Sequence, residues 1–96
     1  MEIIYHPEAR QEMLEAAAFY ESNRKGLGRK FLSAAETAVI FVSIYPDAGR
    51  IMHIPYRRFL VKRFPYGIIY RESDYTVFIV AVMHLKRRPG YWLERI

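Results

Sequence analysis

Five side chains in the second half of this sequence are of the types that phosphate chemistry uses: Arg63, Arg71, Arg88, His84 and Tyr91. The planar guanidinium of arginine forks onto two oxygens of a phosphate or carboxylate at once. Histidine titrates near neutrality, and neighbouring cations favour its neutral form, so His84 is equipped to act as an acid or a base. Tyr91 can stack on a base or donate a hydrogen bond. Further cations flank these five, namely Arg57, Arg58 and Lys62 in one run and Lys86 and Arg87 in the other, which closes on Trp92. A sheet that only sealed a core would not need so many charges, so the pattern describes a surface that meets an anion. Each residue also has a plainer structural alternative. His84 suits a strand end with a backbone hydrogen bond, Tyr91 and Trp92 suit a tail packed on the sheet, and Arg57 and Arg58 suit solvated edge charges that discourage aggregation.

The charge is unevenly placed. Residues 1–48 hold five Lys and Arg against seven Asp and Glu, net −2, whereas residues 49–96 hold ten against three, net +7. That asymmetry predicts an anionic partner for the second half, either nucleic acid or an acidic peptide. At 96 residues, 52% of them hydrophobic and 16% aromatic, the chain is expected to form one domain over 1–96 with a modest core. It has no cysteine, which excludes disulfides and thiolate chemistry. His6, His53 and His84 lack metal-ligand spacing, so neither a metal nor another cofactor is expected. Gly26-Leu27-Gly28-Arg29-Lys30 lacks the spacing of a phosphate loop and reads as a turn, and no serine sits in a nucleophile-elbow context. Met1–Tyr5 has no signal-peptide character, and the apolar run Thr76–Met83 is too short to cross a bilayer. A cytoplasmic location with no membrane partner is the expectation.

The elements that must carry these side chains follow from periodicity. Glu2–Tyr5 reads as a short strand. His6-Pro7-Glu8 opens a helix in which Ala9, Met13, Ala16 and Tyr20 form one stripe. Ser22–Gly26 stops it, and a second helix from about Leu27 to Tyr45 carries the stripe Phe31, Ala35, Ala38, Val42 and Tyr45. The short link makes an antiparallel hairpin whose alanines permit close approach. After the loop Tyr45–Arg50 come extended segments at about Arg57–Arg63, Tyr66–Glu72 and Tyr75–Leu85, with turns at Phe64–Gly67 and Ser73-Asp74. The third is apolar on both faces, as a central strand should be. The predicted class is α+β: an N-terminal strand, the two-helix hairpin, then a three-stranded antiparallel meander with the helices on one face.

In that order, Pro46-x-x-Gly49-Arg50, Arg57-Arg58-Phe59, Phe64-Pro65-Tyr66-x-Ile68-x-Tyr70-Arg71, Val80-Ala81-Val82-x-His84 and Arg88-Pro89-x-Tyr91-Trp92 resemble the RelE/ParE toxin superfamily across nearly the whole chain. The resemblance implies the toxin half of a type II toxin–antitoxin pair, of the kind also described as plasmid stabilisation proteins. Such toxins arrest growth when free and are silenced by a small antitoxin. RelE-like members cut mRNA on the ribosome, whereas ParE-like members bind and poison DNA gyrase. The His84…Trp92 ending looks more like the ParE branch, and gyrase is the target it implies.

The rival RelE-like reading needs a base for the 2′-hydroxyl, an acid for the leaving oxygen and cations over the phosphorane, with no metal. By resemblance those roles pass to His84, Arg63, Arg71, Arg88 and Tyr91 as catalytic candidates. Arg57, Arg58, Lys62, Lys86, Arg87 and Trp92 are then anion- or partner-binding residues. Nuclease members commonly add a lysine, histidine or glutamate near the second strand, where this chain offers Lys62 and His53. A non-toxic basic nucleic-acid-binding module is the third reading. For the antitoxin, an acidic and partly disordered segment lying across the helix hairpin and the basic sheet is expected.

Overall fold

A computed structural model of residues 1–96 shows the order β1 (Glu2–Tyr5), α1 (Pro7–Asn23), α2 (Leu27–Ile44), β2 (Arg50–His53), β3 (Tyr56–Leu60), β4 (Tyr66–Ser73), β5 (Thr76–His84) and a short 3₁₀ turn, η1 (Tyr91–Arg95). The expected meander is present as β3–β4–β5, but it is part of a larger mixed sheet of five strands in the order β1-β5-β4-β3-β2. This corrects the three-stranded sheet predicted from the sequence. β1 pairs parallel to β5 after the chain has crossed over through both helices, and local periodicity carries no signal for such a pairing. β2 is four residues long, exposed throughout and followed by Pro55, so it has no alternation to detect. It is a strand because β3 supplies its hydrogen bonds.

The hairpin forms where the stripes predict. His6 caps α1, its Nδ1 accepting from the Glu8 amide, and Pro7 occupies the first turn, where its missing N–H costs nothing. Between the helices, Gly26 takes φ +87° and the Glu21 carboxylate accepts from the Gly26 and Gly28 amides, filling the bare N-terminus of α2. Gly28 is fixed by proximity: a Cβ there would lie 2.5 Å from the Ala17 carbonyl oxygen. Ala9, Met13, Ala16 and Ala17 of α1 and Phe31, Ala35, Ala38, Val39 and Val42 of α2 are buried together against one face of the sheet. Tyr45, assigned to that stripe from the sequence, instead lies exposed just beyond the end of α2.

β5 serves both faces of the sheet by breaking its own alternation. Ile69 pairs with Ala81 and Tyr70 with Ile79, which leaves Val80 as a bulge. Val77, Ile79 and Val82 therefore all face the helices, while Val80, Ala81 and Met83 face the opposite side. There they join Ile69, Tyr56, Tyr91 and Trp92 in a second, smaller core. The turn from β4 to β5 falls at Asp74-Tyr75, both at positive φ, one residue later than predicted.

Tyr70 ties the sheet to the loop before β2. It is fully buried, its hydroxyl donating to the Pro46 carbonyl (2.7 Å) and accepting from the Gly49 amide (2.9 Å). A side chain at position 49 would collide with that hydroxyl, at 2.6 Å. Tyr70→Phe leaves both backbone groups without their partner. We expect it to lower unfolding free energy by about 2 kcal/mol, measured by urea denaturation, and a loss near zero would show that water replaces the hydroxyl.

Candidate functional site

The candidate residues divide between one end of the sheet and its helix-free face. At the end, Tyr66 pairs with His84 across β4 and β5, and the Leu85 amide donates to the Pro65 carbonyl (2.9 Å). This backbone bond sets the β3–β4 turn, with Lys62 and Arg63, beside the segment His84–Arg88. Lys62, Arg63, Lys86, Arg87 and Arg88 are all exposed there. An aromatic cluster holds the end in place. Phe64 packs on Tyr20 (4.9 Å between rings) and Phe31 (5.2 Å), and Tyr66 packs on Phe31 (4.9 Å) and His84 (5.0 Å). Arg63 lies at φ +70°, a region that non-glycine residues seldom occupy.

His84 is half-buried, and its Nδ1 accepts from the Lys86 amide (3.0 Å). That bond orients the ring and makes Nδ1 an acceptor, leaving Nε2 as the nitrogen that faces away from the turn. Arg71 is elsewhere. It lies five residues along β4 from Tyr66, about 17 Å at strand spacing, with its guanidinium over the Phe78 ring (4.4 Å) on the helix-free face. His84 and Arg71 therefore do not converge on one phosphate.

Other members have structural engagements. Arg57 donates to the Gly49 carbonyl (2.9 Å) and pairs with Asp47 (3.5 Å), bracing the loop that Tyr70 also holds. The stem of Arg58 lies over Gly67, where a Cβ would come within 2.8 Å. Trp92 is 3% exposed and packs against Tyr56 (5.4 Å), whereas Arg87 stacks on the Tyr91 ring (3.8 Å).

Glu12 was not among the candidates expected from the sequence. Its position between Ala9, Met13 and Ala16 puts a carboxylate on the flank of the buried stripe of α1, and a charge so placed was the available signal. β1 stops at Tyr5, opposite Ile79, so β5 beyond that point has no strand on that side. Glu12 accepts from the Val82 amide (3.0 Å), the Tyr91 hydroxyl (2.6 Å) and both terminal nitrogens of Arg95 (2.9 and 2.8 Å), while Arg95 also donates to the Val80 carbonyl (3.0 Å). Glu12 and Arg95 thus stand in for the missing strand and tie the C-terminal turn to α1. Burial alone would raise the Glu12 pKa, but the hydrogen bonds from Arg95, Tyr91 and Val82 outweigh it, and the net shift is downward. Burial first, and then the bond and charge of Glu12, push the Tyr91 hydroxyl well above its ordinary value, so it remains a donor. No group of three or more His, Asp or Glu is placed to hold a metal ion, and no helix is long and apolar enough to cross a membrane.

The model of the ParE toxin of the type II toxin–antitoxin system parDE matches residues 3–89. The chain belongs to that family, and it is the toxin component of a type II system whose partner is a cognate antitoxin. Among solved structures it is similar to a chain described as "Chromosomal ParDE TA system from P. aeruginosa", with a TM-score of 0.65 and 19% identity over 88% of this chain and 95% of that one, a likeness of fold. No curated protein sequence matches.

A glutamate with a lowered folded-state pKa adds stability that is fully present above its ordinary value of about 4.5 and is lost as pH falls through the folded value. Glu12→Gln is expected to cost on the order of 3 kcal/mol at pH 7, because it leaves Arg95 with only the more distant carboxylate of Glu8 (3.8 Å). It should also remove the part of acid destabilisation that sets in below about pH 4.5. Denaturant titrations of both proteins between pH 3 and 7 check this, and parallel curves would contradict it.

Proposed function

We propose that this toxin arrests growth by binding its target, that the target is DNA gyrase, as the resemblance to the ParE branch implies, and that the cationic end of the sheet is the contact surface. One observation carries the preference for binding over RNA cleavage: the candidate catalytic groups are dispersed. Arg71 sits about 17 Å along β4 from the partner of His84, and the Tyr91 hydroxyl is committed to Glu12. General acid–base catalysis requires groups within hydrogen-bond reach of one reacting centre. A binding surface has no such requirement. It needs density of charge, which Lys62, Arg63, Lys86, Arg87 and Arg88 supply. The cytoplasm, where gyrase acts, is the compartment this reading requires.

The antitoxin, in this reading, is acidic and partly disordered and folds as it binds. The opposite charge on the toxin surface would speed their encounter and make binding sensitive to salt.

The purified toxin is expected to inhibit DNA supercoiling by gyrase, and its induction to arrest growth with transcripts intact by primer extension. His84→Ala should stay within about threefold of the parent in both assays, since a lost general acid or base would cost roughly a hundredfold or more. Codon-spaced cuts in mRNA, abolished by His84→Ala and accompanied by normal supercoiling, would establish the RelE-like nuclease instead. Harmless expression together with RNA binding that weakens steeply with salt would leave only the nucleic-acid-binding module.

A further inference from the structure

Nine of the 15 lysines and arginines gather at one end of the molecule, and four of them come from a segment outside the cationic surface described above. Arg24 and Lys25 lie in the link between the helices, and Arg29 and Lys30 in the first turn of α2. Arg24 and Lys30 line one groove with Lys62 and Arg63, which sets the helix link against the β3–β4 turn. The bond between the Leu85 amide and the Pro65 carbonyl then adds Lys86, Arg87 and Arg88 from a third segment. All nine side chains are exposed. Only Arg87 has a carboxylate within 4 Å, that of Glu12 at 3.9 Å. The one acid in these segments, Glu21, is turned to the Gly26 and Gly28 amides (3.0 Å each) and leaves the cations uncompensated.

Such a surface fits a regular polyanion better than a folded acidic protein. Protein interfaces are depleted in lysine and draw most of their energy from a buried aromatic or apolar centre. Here Lys25, Lys30, Lys62 and Lys86 stand among five arginines. A protein partner would have to hold nearly as many carboxylates at its own surface, whereas duplex DNA carries one phosphate per about 1.7 Å of axis whatever its sequence. Single strands are a poorer match, because proteins hold them by stacking unpaired bases on aromatic rings. The rings at this end are engaged elsewhere: Phe64 and Tyr66 in the cluster with Tyr20 and Phe31, and Tyr91 beneath the Arg87 guanidinium. Arg63 adds a separate sign, since a φ of +70° would cost glycine less, yet a guanidinium is placed there.

We propose that this end of the toxin binds the phosphate backbone of duplex DNA without regard to sequence, through the helix link, the β3–β4 turn and the run Lys86–Arg88 together. The place of that contact in the target complex rests on the gyrase reading above: the toxin seats on the DNA that gyrase holds, and its grip on the enzyme itself is secondary. The DNA contact by itself does not depend on that reading. Its distinguishing feature is the helix link, because a surface confined to the sheet would make no use of Lys25 and Lys30.

The test titrates the free toxin against a short labelled duplex at several salt concentrations. About five phosphate contacts predict a log–log slope of about −4.5, which is a loss of roughly 500-fold in affinity between about 50 and 200 mM salt. Lys25→Gln with Lys30→Gln, both exposed and unpaired, should make the slope shallower by about two and leave thermal melting unchanged. Arg63→Gly suits the positive φ, so it should melt at the parent temperature or above while making the slope shallower by about one. Arg50→Gln, on the exposed strand β2, should change neither. The proposal is overturned if the duplex is not bound at about 50 mM salt, or if the Lys25 and Lys30 pair leaves its binding unaltered. Tighter binding of single-stranded RNA than of the duplex overturns it too, as does tighter binding of DNA-free gyrase. Inhibited supercoiling without DNA affinity would sink the DNA contact and leave the gyrase reading standing. DNA affinity with the expected slope but normal supercoiling would do the reverse.

Discussion

The carboxylate of Glu12 is the point on which three parts of this molecule meet. A strand that pairs along only part of its length must find other partners for the rest, because buried peptide groups left without hydrogen bonds cost about as much as a lost bond each. β5 faces that constraint where β1 ends. Glu12 from α1 takes the Val82 amide, and Arg95 from the C-terminal turn takes the Val80 carbonyl. The two then pair with each other, and Tyr91 adds its hydroxyl. One polar cluster thus joins the first helix, the central strand and the last turn of the chain. It includes no unpaired charge, which is the condition under which a buried ion pair is tolerable.

Two consequences reach the cationic surface. The C-terminal turn is held against the helix-free face, so Trp92 and Tyr91 close a second core there. The basic segment between His84 and Arg88 is in turn anchored at both ends, by its strand on one side and by Tyr91 on the other. Arg87 lies over the Tyr91 ring and within 3.9 Å of Glu12, so part of the cationic surface is built on the clamp itself. The other part stands on the aromatic cluster of Tyr20, Phe31, Phe64 and Tyr66, which presses the β3–β4 turn toward the same end.

α2 carries apolar side chains on two opposite faces. Phe31, Ala35, Ala38 and Val42 are spent on the core, as their spacing requires. Ile40, Phe41 and Ile44 are turned outward beside a groove with a cationic rim. A helix that is apolar nearly all round belongs in an interior. Here the tertiary structure supplies only half of one.

By itself the sequence determined the two helices, three of the strands, the charge asymmetry and the family, although the strand expected over Arg57–Arg63 ends at Leu60, because the chain turns at Lys62 and Arg63. All of these rest on periodicity, turn chemistry and short motifs that act over a few residues. The motif Pro46-x-x-Gly49 gained its physical reason only from the fold, because its two backbone groups grip Tyr70, which is more than twenty residues away in sequence. Tertiary structure alone decided that β1 lies parallel to β5, that β2 exists at all, and that Val80 bulges so that Val82 joins Val77 on the helix face. It also decided which candidate cations meet. Lys62 and Arg63 come to lie beside His84 through a backbone bond between Leu85 and Pro65, whereas Arg71 is carried away along its strand. Residue type and spacing reveal what a side chain can do, but convergence depends on strand register and on contacts between segments far apart in the chain. Those are set by long-range pairing that no local pattern encodes.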